Sequence, residues 1–246
     1  MFCCRSKRSA TGHPPLPSAA ESLSRKPIVC YVTDGNSLAG GSRSSDRIEK
    51  VLRRIRDAVA AGIDWVQIRE KDLEGRDLLT LARGAVAATT ESGSRHARVI
   101  VNDRLDVALA AGAAGVHLGG ESLPARDVIR WCGEGRAPDD FLVGVSCHSL
   151  EQARDTECAG ASYVFFGPVF DTPSKRPFGA PQGLTKLAEV CRAIRIPAIA
   201  IGGINPTNAA GCFQAGAAGI AAIRLFQDAP DAEQLRRTMG RLLSAE

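Results

Sequence analysis

The chain carries Ile201-Gly202-Gly203-Ile204 and, a little further on, Ala221-Ala222-Ile223-Arg224. Each is a short apolar run that ends in residues suited to a tight turn. Gly202 and Gly203 have no Cβ, so backbone N–H groups there can approach a bound phosphate closely, with a helix N-terminus facing it. Two glycines alone would equally serve a plain turn. Position decides the reading, because eight-stranded barrels frequently build a phosphate site from the loops after strands seven and eight. The expectation is a (β/α)8 TIM barrel of the α/β class, provided that six earlier strand–helix units precede this pair.

Reading outward, those units are present. From Pro27 onward, short β-branched runs alternate with longer Ala/Leu/Arg segments of helical period, the mark of repeated βα units. The candidate strands are Ile28–Thr33, Trp65–Arg69, Val99–Asn102, Gly115–Leu118, Leu142–Ser146, Tyr163–Gly167, Ala198–Gly202 and Gly219–Ile223, each followed by a candidate helix. Ala-Gly pairs recur before strands, at Ala61-Gly62, Ala111-Gly112, Ala159-Gly160 and Ala215-Gly216, where a left-handed glycine ends one helix and starts the next strand. An open doubly wound sheet would show Gly-x-Gly-x-x-Gly after its first strand, and Tyr31-Val32-Thr33-Asp34-Gly35 does not supply it. A length of 246 residues suits one barrel. The predicted organisation is a single barrel domain over residues 27–246 behind a tail over 1–26. That tail is rich in Ser, Pro and basic residues, lacks the apolar block of a secretory signal, and reads as disordered.

The formal charge of +4 is local. Arg5, Lys7, Arg8, Arg25 and Lys26 face only Glu21 in the tail, which leaves 26 basic and 26 acidic residues in the remainder. A neutral body offers no global field for nucleic acid, and none is expected as a partner. No apolar run approaches the ~20 residues of a membrane-spanning helix, so no membrane insertion is expected. The eight cysteines include no Cys-x-x-Cys and no zinc-ligand spacing; they read as reduced thiols of a cytoplasmic protein. The sequence sets no oligomeric state, and a homo-oligomer is compatible with it.

The chemistry-bearing residues gather at the predicted C-terminal ends of strands, where barrel enzymes keep their functional side chains. In Trp65-Val66-Gln67-Ile68-Arg69-Glu70-Lys71, alternation puts Gln67, Arg69 and Lys71 on one side. Two cations and an amide there call for an anionic partner; the alternative is a salt-bridged layer with Glu70 or a neighbour. The third strand ends in Asn102-Asp103. Asp103 suits Mg²⁺, which takes one or two carboxylates and completes its sphere with water and phosphate oxygens. Its alternative use is to cap the following helix. His117 and His148 could each serve as an acid or base, though each alone is more often a hydrogen-bonded structural residue, and Cys147 beside His148 lies on the opposite face of a strand. After strand six, residues 167–179 form a loop long enough to be a lid, and its Thr172, Ser174 and Lys175 make a phosphate-binding set.

In these stretches the sequence resembles the thiamine phosphate synthase and thiazole tautomerase (TenI-like) superfamily over residues 27–240. The resemblance is carried by Gln67-Ile68-Arg69-Glu70-Lys71, Val101-Asn102-Asp103, Gly115-Val116-His117-Leu118-Gly119, Gly144-Val145-Ser146, Gly167-Pro168-Val169-Phe170 with Thr172 and Lys175, and Ile201-Gly202-Gly203-Ile204, in this order and spacing. It implies a transferase that joins hydroxymethylpyrimidine diphosphate to a thiazole phosphate and releases diphosphate. On that reading Gln67, Arg69, Lys71, Asn102 and Lys175 meet the pyrimidine diphosphate, and Asp103 binds Mg²⁺. Ser146 touches the pyrimidine, while Thr172, Ser174, Gly203 and the Ile223-Arg224 pair hold the thiazole phosphate.

Three positions depart from the pattern. The family's second metal-binding Asp, in a Gln-Glu-Asp run, is Ser122 within Gly120-Glu121-Ser122. Its phosphate-contacting Ser after strand eight is Arg224, and the His that one tautomerase type carries after strand six is Pro168. Ser122 keeps two further readings open: an isomerase acting on the thiazole phosphate without metal, and a barrel that binds thiamine intermediates without turnover.

Overall fold

The computed structural model describes residues 26–39, 44–91, 97–172 and 180–243. Eight strands form the sheet: β1 (Ile28–Val32), β2 (Trp65–Ile68), β3 (Arg98–Asn102), β4 (Gly115–Leu118), β5 (Leu142–Cys147), β6 (Tyr163–Phe166), β7 (Ala198–Ile201) and β8 (Gly219–Ala222). Each pairs in parallel with its sequence neighbours, and β1 also pairs with β8, through Ile28 with Gly219 and Cys30 with Ala221. The sheet is thus a closed barrel. Helices fill the connections: α1 (Gly35–Ala39), α2 (Ser44–Ala60), α3 (Gly75–Glu91), α4 (Leu105–Ala111), α5 (Ala125–Trp131), α6 (Leu150–Ala159), α7 (Gly183–Ala193), α8 (Ala209–Gln214), α9 (Arg224–Gln227) and α10 (Ala232–Leu243).

The expected strands are all present, displaced by one residue at several ends. The shift at β2 has a plain cause. Arg69 N donates to the Thr33 hydroxyl at 2.9 Å, so the ladder stops at Ile68. The Ala-Gly punctuation behaves as expected, with Gly112 and Gly160 capping α4 and α6 in the left-handed region.

Period-two alternation sorts the strand residues into two sets. Val29, Val66, Val101, Val116 and Val164 pack outward beneath the helices, whereas Cys30, Trp65, Ile100, Tyr163, Phe165 and Ile199 fill the barrel. Glycine makes room for the largest of these. A Cβ on Gly144 would lie 2.0 Å from Tyr163 Cζ, so the bare position on β5 admits the ring from β6. Tyr163 packs against Trp65 at 4.7 Å and Phe165 at 5.4 Å between ring centroids. Toward the C-terminal ends the same inward parity carries Gln67, Asn102, His117 and Ser146, so the barrel turns from apolar to polar at that end.

Outside, α2 buries Val51, Ile55, Ala58 and Val59, a helical stripe in the same core cluster as Val29 and Val66. Each such aliphatic contributes about 1.5–3 kcal/mol when fully buried. Among the described residues no helix is long and apolar enough to cross a membrane, and the six cysteines are free thiols. All of the expected tail except Lys26 lies outside the described residues, as do Ser174 and Lys175.

Candidate active site

The C-terminal ends of β2, β3 and β4 open onto a cavity of about 300 Å³ whose walls include Glu70, Lys71, Asn102, Asp103, Glu121 and Ser122. Asp103 is half-buried on its wall. The residue adopts φ 62°, a left-handed conformation that Asp tolerates better than most side chains. Its backbone N–H donates to His117 O at 2.8 Å, which ties the end of β3 to β4. One carboxylate oxygen accepts from Asn102 Nδ2 at 2.5 Å. The other accepts from the Ser122 hydroxyl and, at 3.4 Å, from Gly119 N–H. Asp103 is therefore not a helix cap: α4 follows Arg104, which makes no side-chain capping bond.

Gln67 reaches the same cluster from β2 and donates through Nε2 to Asn102 Oδ1 at 2.8 Å. Its Oε1 is buried without a partner among the described residues. An unsatisfied buried acceptor costs about 1–3 kcal/mol, so this oxygen is poised for an N–H brought by a ligand. Lys71 is exposed on the cavity wall and has no ion-pair partner among the described residues. Arg69 is half-buried just beyond β2 and does not line this cavity.

The salt-bridged alternative for Arg69 and Lys71 is not realised through Glu70. Glu70 bonds neither Arg69 nor Lys71. It accepts from the Thr33 hydroxyl at 2.7 Å and from Gly35 N–H at 2.9 Å, and it pairs with Arg47 of α2 at 2.5 Å.

Ser146, half-buried on β5, lies 2.9 Å from His117 Nε2, and His117 Nδ1 lies 3.1 Å from the Tyr163 hydroxyl. Burial pushes the imidazole down to about 3, so the ring is neutral and carries a single N–H. One ring nitrogen then donates and the other accepts, which links Tyr163 to Ser146 and orients the serine hydroxyl. Neither tautomer makes His117 a proton shuttle near neutral pH. His148 Nδ1 is spent on the Gly167 carbonyl at 2.5 Å, and Cys147 is buried against Thr156.

A second group of expected residues gathers after β6 and β7. Val169 N–H donates to Ile201 O at 2.9 Å and Phe170 N–H to Gly202 O at 3.0 Å, so the loop after β6 runs along the Gly202-Gly203 turn. Gly202 and Gly203 hold φ of 98° and 67°. A Cβ on Gly202 would fall 2.6 Å from Pro168, and one on Gly203 would fall 2.6 Å from Asp171 O. These glycines thus serve both the turn and the seating of the start of the loop after β6. Ile223 packs at the edge of the barrel interior, and Arg224 is exposed as the first residue of α9.

The structure therefore brings Gln67, Lys71, Asn102 and Asp103 together on one side, and Gly202 and Gly203 with the described part of the lid loop on another. Sequence reasoning gave no role to Arg47 and Tyr163 and left Ser122 as a loss. The one available hint was parity, since Tyr163 shares the inward set with Phe165.

No group of three or more His, Cys, Asp or Glu able to hold a metal occurs among the described residues. The donor set at the cavity is one fixed carboxylate, Asp103, with the Ser122 hydroxyl on it and Glu121 on the same wall. That set fits an ion such as Mg²⁺, which keeps several waters and uses substrate oxygens as ligands, and does not fit one that needs an all-protein cage.

Comparison with known proteins agrees with this geometry. The thiamine monophosphate synthase family, TMP-TENI, matches residues 41–226. A thiamine-phosphate synthase of Roseiflexus sp. (strain RS-1) is 38% identical over 217 residues, 88% of this chain and 86% of that one. One from Methanoculleus marisnigri is 42% identical over 193 residues, 78% of this chain and 84% of that one. Among solved structures, a thiamine phosphate pyrophosphorylase from Pyrococcus furiosus superposes with a TM-score of 0.72 at 30% identity, covering 90% of this chain and all of the other. With matches of that extent on a closed eight-stranded barrel, the chain belongs to the thiamine monophosphate synthase family.

Proposed function

We propose that this protein is a thiamine-phosphate synthase, a transferase that joins hydroxymethylpyrimidine diphosphate to a thiazole phosphate and releases diphosphate. The observation that carries the reading is the convergence of Lys71, Asn102 and Asp103 on one cavity at the mouth of the barrel. In the reaction the bond between the pyrimidine methylene carbon and the diphosphate oxygen breaks, the diphosphate leaves with the electron pair, and the thiazole nitrogen closes on the methylene carbon. The pyrimidine ring spreads the positive charge, so no protein nucleophile or strong base is needed. That suits a site whose buried histidine stays neutral.

Catalysis then consists of holding the two fragments and stabilising the leaving group. Lys71, with Arg69 and Lys175, supplies positive charge to the diphosphate, and Asn102 and Gln67 also meet the pyrimidine diphosphate. The partnerless Gln67 oxygen takes an N–H of the substrate. Ser146, oriented by His117, meets the pyrimidine ring. Gly202 and Gly203, with Thr172, Ser174, Ile223 and Arg224, hold the thiazole phosphate. Asp103, helped by Ser122 and Glu121, would hold Mg²⁺, which when bound supplies further neutralisation of the departing diphosphate. Ser122, on which the isomerase and binding-barrel readings rest, hydrogen-bonds the Asp103 carboxylate and so fixes it in place, a role compatible with the transferase.

The test is to mix purified protein with both substrates and to follow thiamine phosphate and diphosphate with and without magnesium. Equal amounts of both products, dependent on Mg²⁺ and lost in Lys175→Ala, are expected. Exchange of a thiazole ring proton without coupling would point to the isomerase instead.

A further inference from the structure

We propose that Arg47 is a positioning residue for the diphosphate side of the site, gripping the two acidic side chains that flank Lys71 and so fixing the segment that presents Arg69 and Lys71. The inference rests on the transferase reading above. Arg47 belongs to the first turn of α2, 21 residues before the end of β2 at Ile68, and it is only 7% exposed. Its guanidinium forks. Nη2 lies 2.5 Å from Glu70 Oε2 and Nε 3.2 Å from the same oxygen. Nη1 meets Asp72 Oδ2 at 2.5 Å and Nη2 meets Asp72 Oδ1 at 2.6 Å.

Residues 70 and 72 lie on either side of Lys71 in a turn closed by Leu73 N–H donating to Glu70 O at 3.3 Å. Tying both carboxylates to α2 fixes that turn, and with it the backbone that places Lys71 on the cavity wall. Glu70 extends the grip to β1, because it also accepts from the Thr33 hydroxyl and Gly35 N–H while Thr33 Oγ1 accepts from Arg69 N–H. The arrangement has no slack. A Cβ on Gly35 would fall 2.6 Å from both Arg47 Nε and Glu70 Oε2. A lysine could not replace Arg47, since a single ammonium lacks the planar fork that spans two carboxylates. Hydrogen bonding to Arg47 also holds the Asp72 carboxyl down to about 2, so the pair stays ionised across the working pH range.

The experiment uses Arg47→Met, Arg47→Lys, Asp72→Ala and the double variant Arg47→Met/Asp72→Ala. Steady-state kinetics give KM for each substrate, and calorimetry with inorganic diphosphate and Mg²⁺ reports that side of the site directly. Arg47→Met and Arg47→Lys should weaken diphosphate binding and raise KM for the pyrimidine diphosphate by about 10- to 100-fold, with KM for the thiazole phosphate unchanged. Asp72→Ala, on a half-exposed side chain, should shift the same quantities less, and the double variant should be no worse than Arg47→Met alone.

A fall in kcat with both KM values and diphosphate affinity unchanged would mean that Arg47 only supports the fold, and would overturn the proposal. If Arg47→Met does not fold, Asp72→Ala decides by the same criterion. Wild-type protein that binds no diphosphate would sink the transferase reading and this inference with it, whereas normal wild-type binding with unaltered variants would sink the clamp alone.

Discussion

Replacing Ser122 by Asp puts a second carboxylate beside Asp103, and the consequence can be worked from the geometry. In the native chain the Ser122 hydroxyl donates to Asp103 Oδ1 and accepts from Gly119 N–H at 2.6 Å. Ser122→Asp removes the donor, which costs about 1.5–3 kcal/mol for a bond to a charged acceptor. It also sets two negative charges about 4 Å apart, a repulsion of about 4 kcal/mol at an effective dielectric near 20. Rotation of the carboxylates and the retained Gly119 bond offset part of this, so a net loss of about 2–4 kcal/mol is expected in the absence of metal. For a domain of this size that lowers Tm by roughly 4–16 °C. Divalent metal reverses the sign of the effect, because a cation shared by two carboxylates binds the folded state alone. At one hundred times its dissociation constant it returns about 2.7 kcal/mol. The assay is thermal unfolding of both proteins in EDTA and across a Mg²⁺ titration. The native chain should respond weakly and Ser122→Asp strongly. A variant as stable as the native chain in EDTA, or an equal magnesium response in both, would show that Ser122 does not face a metal-binding Asp103.

Gly144→Ala should be severely destabilising despite its single added carbon, by more than about 3 kcal/mol, since its Cβ would fall 2.0 Å from a Tyr163 ring held between Trp65 and Phe165. Chemical denaturation measures this, and a loss below about 1 kcal/mol would mean that the interior yields more than its packing implies. His117, neutral in the folded barrel with its pKa depressed to about 3, takes up a proton on unfolding anywhere below the ordinary histidine value near 6.5. Its contribution is thus fully present above pH 6.5 and is lost as pH falls toward 3, at up to about 1.4 kcal/mol per pH unit. His117→Asn should flatten the stability profile over that window, and equal slopes in the two proteins would contradict a buried neutral ring.

The strands and their order were legible because each βα unit writes its own period and its own Ala-Gly stop. Lys71, Asn102 and Asp103 were legible for the same reason: each stands at or just past the end of a strand. What the sequence did not disclose depends on register between separate strands or on a helix docking onto a strand end. Tyr163 reaches His117 because Gly144, on the strand between them, leaves room. Arg47 reads as one more basic residue on a basic helix, and only the closure of β1 on β2 beneath α2 sets it against Glu70 and Asp72. Ser122 illustrates the converse. Compared with a family pattern it registers as a missing ligand, while in the folded chain it bonds the ligand that remains.

The account stands on where the diphosphate sits. A crystal structure of the protein soaked with Mg²⁺ and inorganic diphosphate addresses that directly. The anion should lie in the cavity between β2 and β4 within hydrogen-bond reach of Lys71 and Asn102, with the cation on Asp103. Diphosphate bound elsewhere on the barrel, or density that leaves Asp103 bonded only to Ser122 and Asn102 at saturating ligand, would contradict it.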